Sequence, residues 1–184
     1  MEFQEIVEKR RSYRSLKPAD ITEEHIVVLA KTAQLAPSCF NYQPWNFVFV
    51  YEEEMLQRLQ GTLSTNNVWA TNSSMIIAVF SKEDKDCIVK ERKYYLFDTG
   101  MAVSFLLLKA TELGLVAHPI AGFNETKAKE VLNIPKEMRL ITLIIVGEHN
   151  EDLSGLTEKQ RETEKNRPRR KNLDEFVYHN KYVE

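Results

Sequence analysis

The sequence predicts an α+β layer structure, in which helices pack against a single sheet. Three apolar runs have the length and composition of buried strands, at residues 44–51, 74–81 and 140–148. The segments between them carry apolar residues at helical spacing and alternate only loosely with the few strands. One sheet covered by helices is an arrangement that buries the apolar faces of both kinds of element.

Apolar spacing and helix-terminating residues predict the individual elements. Phe3, Ile6 and Val7 give residues 2–10 the pattern of a short amphipathic helix. The stretch 20–22 supplies an N-cap for a second helix, which Pro37 ends or bends away. The remaining predicted elements are, in order, a strand at 44–51, a helix at 52–63, a strand at 74–81, a charged surface loop at 82–93, a helix at 95–113, a strand at 115–121, a helix at 127–132 and a strand at 140–148.

Two segments suggest contacts beyond one compact unit. The predicted helix 95–113 is apolar on more than one face, so it should be central or lie at a subunit interface. Residues 150–172 are polar, but apolar periodicity returns with Phe176, Val177 and Tyr182. We therefore expect this tail to dock, with a second subunit as one candidate. No repeat or linker divides the chain, so residues 1–184 are predicted to form one domain.

Composition disfavours several classes of protein. The net charge is −2 and the isoelectric point is near 6.1, so no basic field favours nucleic acid. No apolar run approaches the roughly 20 residues that span a bilayer, and the charged N-terminus is unlike a signal peptide. Cys39 and Cys87 are too few for a disulfide framework and too far apart for a short metal motif, which favours a reducing, cytoplasmic location.

Familiar catalytic motifs are absent from the sequence. It has neither a P-loop nor a G-x-G-x-x-G, and its four histidines do not pair at metal-ligand spacing. Ser38 and His118 could join an acid in a hydrolase triad, but no nucleophile-elbow motif surrounds the serine. A Cys39–histidine pair is conceivable, although a small free cysteine is usually a packing residue.

Basic and amide residues are the remaining candidates for a binding site. A first basic cluster contains Arg10, Arg11, Ser12 and Arg14, and a second contains Arg167, Arg169 and Arg170. These clusters are either solvated surface charge or a phosphate clamp, since guanidinium groups bind phosphate bidentately. The amides Asn41, Gln43, Asn66 and Asn67 either support turns or recognise a planar heterocycle that alternates donors and acceptors.

Four sequence blocks together resemble the nitroreductase family of FMN-dependent oxidoreductases over nearly the whole chain. "RRSYRSL" resembles the family's N-terminal phosphate motif, and "APSCFNYQPWNFVFV" resembles its Pro-Ser-x-x-Asn-x-Gln-Pro-Trp block. "DTGMAVSFLLLKATELGLVAHPIAGFNETKAKEVLNIP" resembles the central helix, strand and flavin-contacting turn, and "RRKNLDEFVYHNKY" resembles the C-terminal motif. The resemblance implies a mainly antiparallel sheet flanked by helices, in an intertwined homodimer with exchanged C-terminal tails.

The resemblance also implies residue roles, all in binding FMN. The phosphate and ribityl chain would be held by Arg10, Arg11, Ser12 and Arg14, with Arg169 or Arg170 completing the phosphate site. Pro37, Ser38 and Asn41 would approach from the other subunit, while Gln43 either contacts the flavin or supports its turn. Asn66 would bond the pyrimidine edge of the flavin, and Pro119, Ile120, Ala121 and Gly122 would lie beside the ring. Two positions depart from the family pattern, with Ala121 where glycine is common and Phe40 where small residues are frequent.

The implied function is a ping-pong oxidoreductase. NADH or NADPH would reduce FMN, and a nitro, quinone or similar conjugated acceptor would then be reduced at the same place. FMN would carry the chemistry, so no side chain is required as a catalytic acid or base, and no metal is expected. Two alternatives remain open: a non-catalytic FMN sensor or storage protein, and an interaction protein with a basic patch and no cofactor.

Overall fold

The computed structural model, which describes residues 1–182, has a five-stranded sheet between two layers of helices. The long strand β7 pairs with β3, with β6 and with the short β1, and β2 forms the outer edge beside β3. Every pairing in this sheet is antiparallel, which confirms the predicted sheet type.

The elements follow the predicted order with small changes at their ends. The helices are α1 (Phe3–Lys9), α2 (Glu23–Gln34), α3 (Glu53–Gln60), α4 (Tyr95–Glu112), α5 (Glu125–Val131) and α6 (Glu158–Lys165). The strands are β1 (Leu16–Lys17), β2 (Asn46–Val50), β3 (Met75–Ser81), β4 (Ile88–Val89), β5 (Arg92–Lys93), β6 (Val116–Ile120) and β7 (Arg139–His149). Single 3₁₀ segments lie at Cys39–Asn41, Thr65–Asn72, Glu83–Lys85 and Leu173–Glu175.

The sheet buries both faces because β3 and β7 are apolar at successive positions. On one face Ile77 and Val79 pack with Leu29 of α2 and Leu106 of α4. On the other face Ile76 and Ala78 pack with side chains of α3 and α5 and with Trp69. Neighbouring residues of a strand point to opposite faces, so a continuous apolar run is the pattern expected for a doubly covered strand.

Helix α4 is apolar on more than one side, as predicted. Ala102, Leu106 and Ala110 are fully buried against the sheet and α2. Phe97 and Phe105 lie on a face that this chain leaves exposed. The helix is therefore both part of the core and part of an apolar surface.

Several short elements were not predicted, among them the 3₁₀ segment Thr65–Asn72. The charged loop at 82–93 contains the two-stranded β4–β5 hairpin, and the polar stretch 150–172 contains α6. Helix α6 carries no apolar stripe; it begins with a capping box between Thr157 and Gln160. β1 has only two residues, which is too short for a periodicity signal.

Cys39 and Cys87 form a disulfide, so the expectation of separate, packed thiols is wrong. Their Cα atoms are 6.2 Å apart although 48 positions separate them in sequence. The 82–93 segment and the 39–41 turn meet at the beginning of α4, where the Cys39 N–H donates to Asp98 Oδ2 at 2.6 Å. The Tyr94 N–H donates to the Cys87 carbonyl at 3.3 Å. Spacing along the chain gave no sign of this contact.

The C-terminal tail makes little contact with its own chain. Leu173, Phe176 and Tyr182 are 71, 54 and 66 % exposed. The prediction that these apolar residues dock is therefore not met within one chain. No helix among residues 1–182 is long and apolar enough to cross a membrane.

Candidate functional site

Both basic clusters contribute to one pocket of about 250 Å³, which we call the arginine pocket. Its walls come from the segment after α1 and from the end of α6 with the residues that follow. The lining residues are Arg10, Arg11, Ser12, Arg14, Thr163, Arg167, Pro168 and Arg170. Of the two arginines that the resemblance left unranked, Arg170 lines the pocket and Arg169 does not. The resemblance implied that the two clusters share a phosphate site; the fold places residues of both in one pocket, and phosphate binding there stays a prediction.

The arginines of this pocket differ in what they already bind. Arg11 donates to the carbonyls of Thr163 and Glu164 at 2.6 and 3.0 Å, so it caps the end of α6. Arg167 donates to the Arg10 carbonyl at 2.9 Å and also to that of Glu8. Arg11 and Arg167 therefore join the two walls. Arg10 bonds only Ser12 Oγ, at 3.3 Å, among the side-chain contacts in the described chain.

A buried acid fixes the backbone behind the arginines. Glu164 on α6 accepts hydrogen bonds from the backbone N–H groups of Arg14 and, at 3.3 Å, Ser15. Its second carboxylate oxygen lies 3.6 Å from His149 Nε2. Sequence reasoning missed Glu164 because one acid in a polar helix gives no sign that it will be buried.

The arginine pocket is crowded with positive charge. Burial lowers the pKa of Arg10, and the charges of Arg167 and Arg170 lower it further. None of the ion pairs within residues 1–182 includes an arginine of this pocket. An anion such as phosphate would relieve this repulsion and accept charge-assisted hydrogen bonds. The observed charges thus fit a phosphate group.

A larger cleft of about 580 Å³ adjoins the arginine pocket, and Arg14 and Thr163 line both. We call it the asparagine cleft, because Asn66, Asn67 and Asn72 line it. Asn66 is exposed in this asparagine cleft, and its side chain has no hydrogen bond within the described chain. Asn67 differs, because it donates to the Gly122 carbonyl at 2.9 Å and accepts from Trp69 Nε1 at 3.3 Å. Of the two adjacent amides, Asn67 holds the local fold and Asn66 is available to a ligand.

The turn after β6 packs directly on the 65–72 segment. The Gly122 carbonyl also accepts from the Ser64 N–H at 3.0 Å. A Cβ at Gly122 would lie 2.5 Å from Asn67 Nδ2 and 2.6 Å from Ser64 Oγ, so any side chain here would force these two polar groups to move. Ala121 is not among the described residues with positive φ, so alanine fits its position without strain. Pro119 and Ile120 belong to β6 and support this turn.

The 37–43 segment lies apart from both cavities in this chain and lines neither. Phe40, Asn41 and Gln43 have positive φ values of 47°, 61° and 48°. The Gln43 N–H donates to Ser38 Oγ at 2.9 Å, and its side chain donates to the Asn41 carbonyl at 3.3 Å. These contacts favour the turn-supporting interpretation of Gln43. Asn41 and Pro37 are both exposed, and Phe40 is 81 % exposed.

The described residues do not form the hydrolase triad that the sequence left open. Ser38 Oγ accepts from Gln43, whereas His118 Nδ1 bonds the Tyr13 carbonyl at 3.0 Å. Burial lowers the pKa of His118 to about 4, so this imidazole is neutral near pH 7. Its ring also packs on Trp69, with centroids 4.8 Å apart. His118 therefore supports the floor behind the asparagine cleft.

Comparison with known proteins gives one consistent result. The family model described as "Nitroreductase family" matches residues 7–70 and 60–148. One relative is YdgI of Bacillus subtilis (strain 168), whose name describes it as a "Putative NAD(P)H nitroreductase". It is 26% identical over 183 residues, and the match covers 79% of this chain and 88% of YdgI.

Solved structures agree with the sequence matches. A structure described as "the oxidoreductase containing FMN" is 26% identical with a TM-score of 0.85, covering 97% of this chain and 91% of that one. A nitroreductase family protein from Clostridium novyi NT is 29% identical with a TM-score of 0.76, covering 82% and 87%. This chain therefore belongs to the nitroreductase family, which is the family of FMN-dependent oxidoreductases that its sequence blocks indicate.

Proposed function

We propose that this chain is an FMN-dependent oxidoreductase that takes a hydride from NADH or NADPH and reduces a nitro, quinone or similar conjugated acceptor. The observation that carries the proposal is the arginine pocket, which joins the asparagine cleft through Arg14 and Thr163. One cavity suits a phosphate and the adjoining one offers room and amide groups for a planar ring. Family membership supports the same cofactor and enzyme class.

The residues divide the binding of FMN between them. Arg10, Arg14, Ser12 and Arg170 would hold the phosphate, because these groups line the pocket and crowd positive charge there. Arg11 and Arg167 would act indirectly by joining the two walls through backbone carbonyls. In the cleft, Asn66 would bond a polar edge of the ring with its free amide. Arg169, which lies outside the pocket, has no part in this assignment.

When bound, FMN supplies the hydride and electron transfer that no side chain in the described site is suited to provide. The residues of the cleft would orient the ring and would leave one of its faces open to a second molecule. Arg14 contributes positive charge where pocket and cleft meet, and this charge would favour a more electron-rich ring. The nicotinamide and the acceptor would use the open face in turn, which gives ping-pong kinetics.

The site would be completed in a homodimer. The exposed apolar residues of α4 and of the C-terminal tail provide surfaces that a second copy could cover. Pro37, Ser38 and Asn41 line neither cavity of their own chain, so they would reach the flavin of the partner. A cytoplasmic location and small-molecule partners complete the proposal.

The spectrum of the purified protein tests this function. The protein should be yellow or take up added FMN, and its flavin absorption should bleach anaerobically when NADH or NADPH is added. Re-oxidation by a quinone or nitroaromatic compound should then restore the colour. A protein that binds FMN but neither bleaches nor oxidises NAD(P)H with these acceptors would be a non-catalytic flavin-binding module instead. A protein that takes up no FMN at all would contradict both hypotheses, the FMN-dependent enzyme and the non-catalytic flavin-binding module.

Removing two arginines tests the assignment of the phosphate site. The double variant Arg10→Ala with Arg14→Ala loses two charge-assisted contacts of about 1.5–3 kcal/mol each, so FMN affinity should fall by at least a hundredfold. Equilibrium dialysis against FMN measures this loss. Arg58→Ala is the matched control, because Arg58 is exposed on α3 and lines neither cavity. Equal FMN affinity in the double variant and the control would show that the phosphate binds elsewhere.

A further inference from the structure

Two cysteines and two buried acids meet at a point outside the arginine pocket and the asparagine cleft. One ligand atom from each of Cys39, Asp86 and Cys87 lies within 4.8 Å of the others. Asp86 is 8 % exposed and Asp98 is 1 % exposed. We call these four residues the thiol–acid cluster. It links three segments of the fold, since Cys39 belongs to the 39–41 turn, Cys87 precedes β4 and Asp98 lies in the first turn of α4.

The acids of this cluster have no cationic partner in the part of the chain that the structure describes. Neither Asp86 nor Asp98 takes part in an ion pair there. Asp86 Oδ1 accepts from the Cys87 N–H at 2.7 Å, but the buried Oδ2 has no hydrogen-bond partner. Buried carboxylates are stable when they are paired or coordinate a metal, so Asp86 and the neighbouring Asp98 form a buried acidic site that can accept a cation.

We propose that the thiol–acid cluster binds a thiophilic divalent cation of the Zn²⁺ type when Cys39 and Cys87 are reduced. The ligands are the two thiolates and the Asp86 carboxylate, and the fourth position is open to water. Asp98 positions Cys39 by accepting its backbone N–H. This site is independent of the flavin assignment and adds a metal where the sequence predicted none.

Ligand chemistry and spacing support zinc. Zn²⁺ combines thiolate and carboxylate ligands in tetrahedral sites, with Zn–S bonds of about 2.3 Å. Two thiolates on one zinc ion are then about 3.8 Å apart, so the two sulfurs, which are bonded in the disulfide, have to separate after reduction, while the Asp86 carboxylate already lies within 4.8 Å of both. The sulfurs must only separate by side-chain rotation, because the Cα atoms are already 6.2 Å apart.

The disulfide and the metal site are alternative states of the same sulfurs. A dithiol reductant donates two electrons, becomes a disulfide itself, and leaves Cys39 and Cys87 as thiols. Zn²⁺ then replaces both thiol protons, which pass to solvent. In a reducing compartment the thiol state prevails, and the cation would hold together the segments that the disulfide joins in the oxidised protein.

Metal uptake by the full-length protein tests the proposal. Reduction with a water-soluble phosphine, which takes an oxygen atom from water to become its oxide, should allow one Zn²⁺ to bind per chain in equilibrium dialysis. Co²⁺ as a probe should give the intense near-ultraviolet absorption of thiolate ligation. Disulfide-bonded protein should show neither. Failure of the reduced protein to bind Zn²⁺ or Co²⁺ would overturn the proposal.

Two variants and one measurement on the unsubstituted protein assign the ligands. Asp86→Asn should weaken Zn²⁺ binding by about tenfold or more, because it removes an ionised ligand from the site. Asp84→Asn should not, because Asp84 is an exposed acid of the same segment that pairs with Lys82. Zn²⁺ should also slow the reaction of both thiols with an alkylating reagent in unsubstituted protein, which needs no variant to fold. Equal affinities in the two variants, or unchanged thiol reactivity, would show that zinc binds elsewhere.

Discussion

His118 shows how the surroundings of a single residue set its charge. The imidazole is buried, donates from Nδ1 to the Tyr13 carbonyl and packs on Trp69. Burial is the main cause of its lowered pKa, and the nearby Arg14 and Arg10 add to it. From sequence alone His118 was one of four unpaired histidines, because neither burial nor a neighbour 105 positions away can be read locally.

The lowered pKa of His118 predicts acid sensitivity. The folded pKa of about 4 lies below the unfolded value near 6.5, so the unfolded chain binds the extra proton as the pH falls through this range. This group alone should cost about 2 kcal/mol of stability between pH 7 and pH 5. Denaturant unfolding at the two pH values measures the loss. His118→Gln replaces the imidazole N–H with an amide N–H donor that does not titrate, so the stability of this variant should depend less on pH; an equal dependence would contradict the assignment.

The arginine pocket marks the limit of residue-level prediction. The sequence identified Arg10, Arg14 and Arg170 as site candidates, and these line the pocket. It also gave Arg11 a ligand role, whereas Arg11 is engaged with the carbonyls at the end of α6. Arg167 was noted but not selected, because in an irregular stretch of consecutive basic residues no periodicity tells which side chain faces inward.

At the scale of elements, the apolar pattern of the sequence predicted those helices and strands that are stabilised by burying apolar side chains. α4 and β7 lie within two residues of their predicted ends, since each carries a run of side chains that must be covered. α6 and the Thr65–Asn72 segment were missed, because a capping box, a buried acid and amide bonds hold them instead. Such contacts join distant parts of the chain and leave no local signal. The elements that form the site are therefore the ones least visible in sequence.

The contact between the turn after β6 and the 65–72 segment predicts the effect of Gly122→Ala. The added Cβ would displace the Asn67 side chain, whose hydrogen bonds to Gly122 and Trp69 are each worth about 1 kcal/mol. We expect a loss of about 1–2 kcal/mol in unfolding free energy and weaker FMN binding, because Asn66 moves with its neighbour. Gly100→Ala is the control, since nothing lies within 4 Å of its added Cβ. Wild-type stability in Gly122→Ala would contradict this account.

For the whole molecule, the sequence predicted how the helices and the sheet are arranged. One chain, however, does not cover all of the apolar surface that it carries. Each layer is covered where the apolar pattern required it. The tail and the outer face of α4 are the exceptions, with Leu173, Phe97 and Phe176 at least half exposed. Sequence reasoning identified these surfaces as needing a partner, and a single chain supplies none for them among the described residues.

Removing the tail tests whether it mediates assembly. A chain ending at Lys171 loses almost no buried surface of its own, so the protomer should remain folded by circular dichroism. Sedimentation should show a dimer for the full chain and a monomer for the shortened one. Leu173→Ser with Phe176→Ser is the full-length control and should weaken the dimer in the same direction. An unchanged dimer in both variants would exclude the tail as the main contact.

One short segment serves two purposes, because Arg167, Pro168 and Arg170 line the arginine pocket and are followed directly by the exposed tail. Anything that occupies the pocket therefore restricts where the tail begins. If the tail also binds a second copy of the chain, ligand binding in the pocket and dimerisation are linked equilibria. Each must then change the affinity of the other by the same factor. Dilution would then release the ligand, and stripping the ligand would loosen the pair. Titrations of either should accordingly be performed at several protein concentrations.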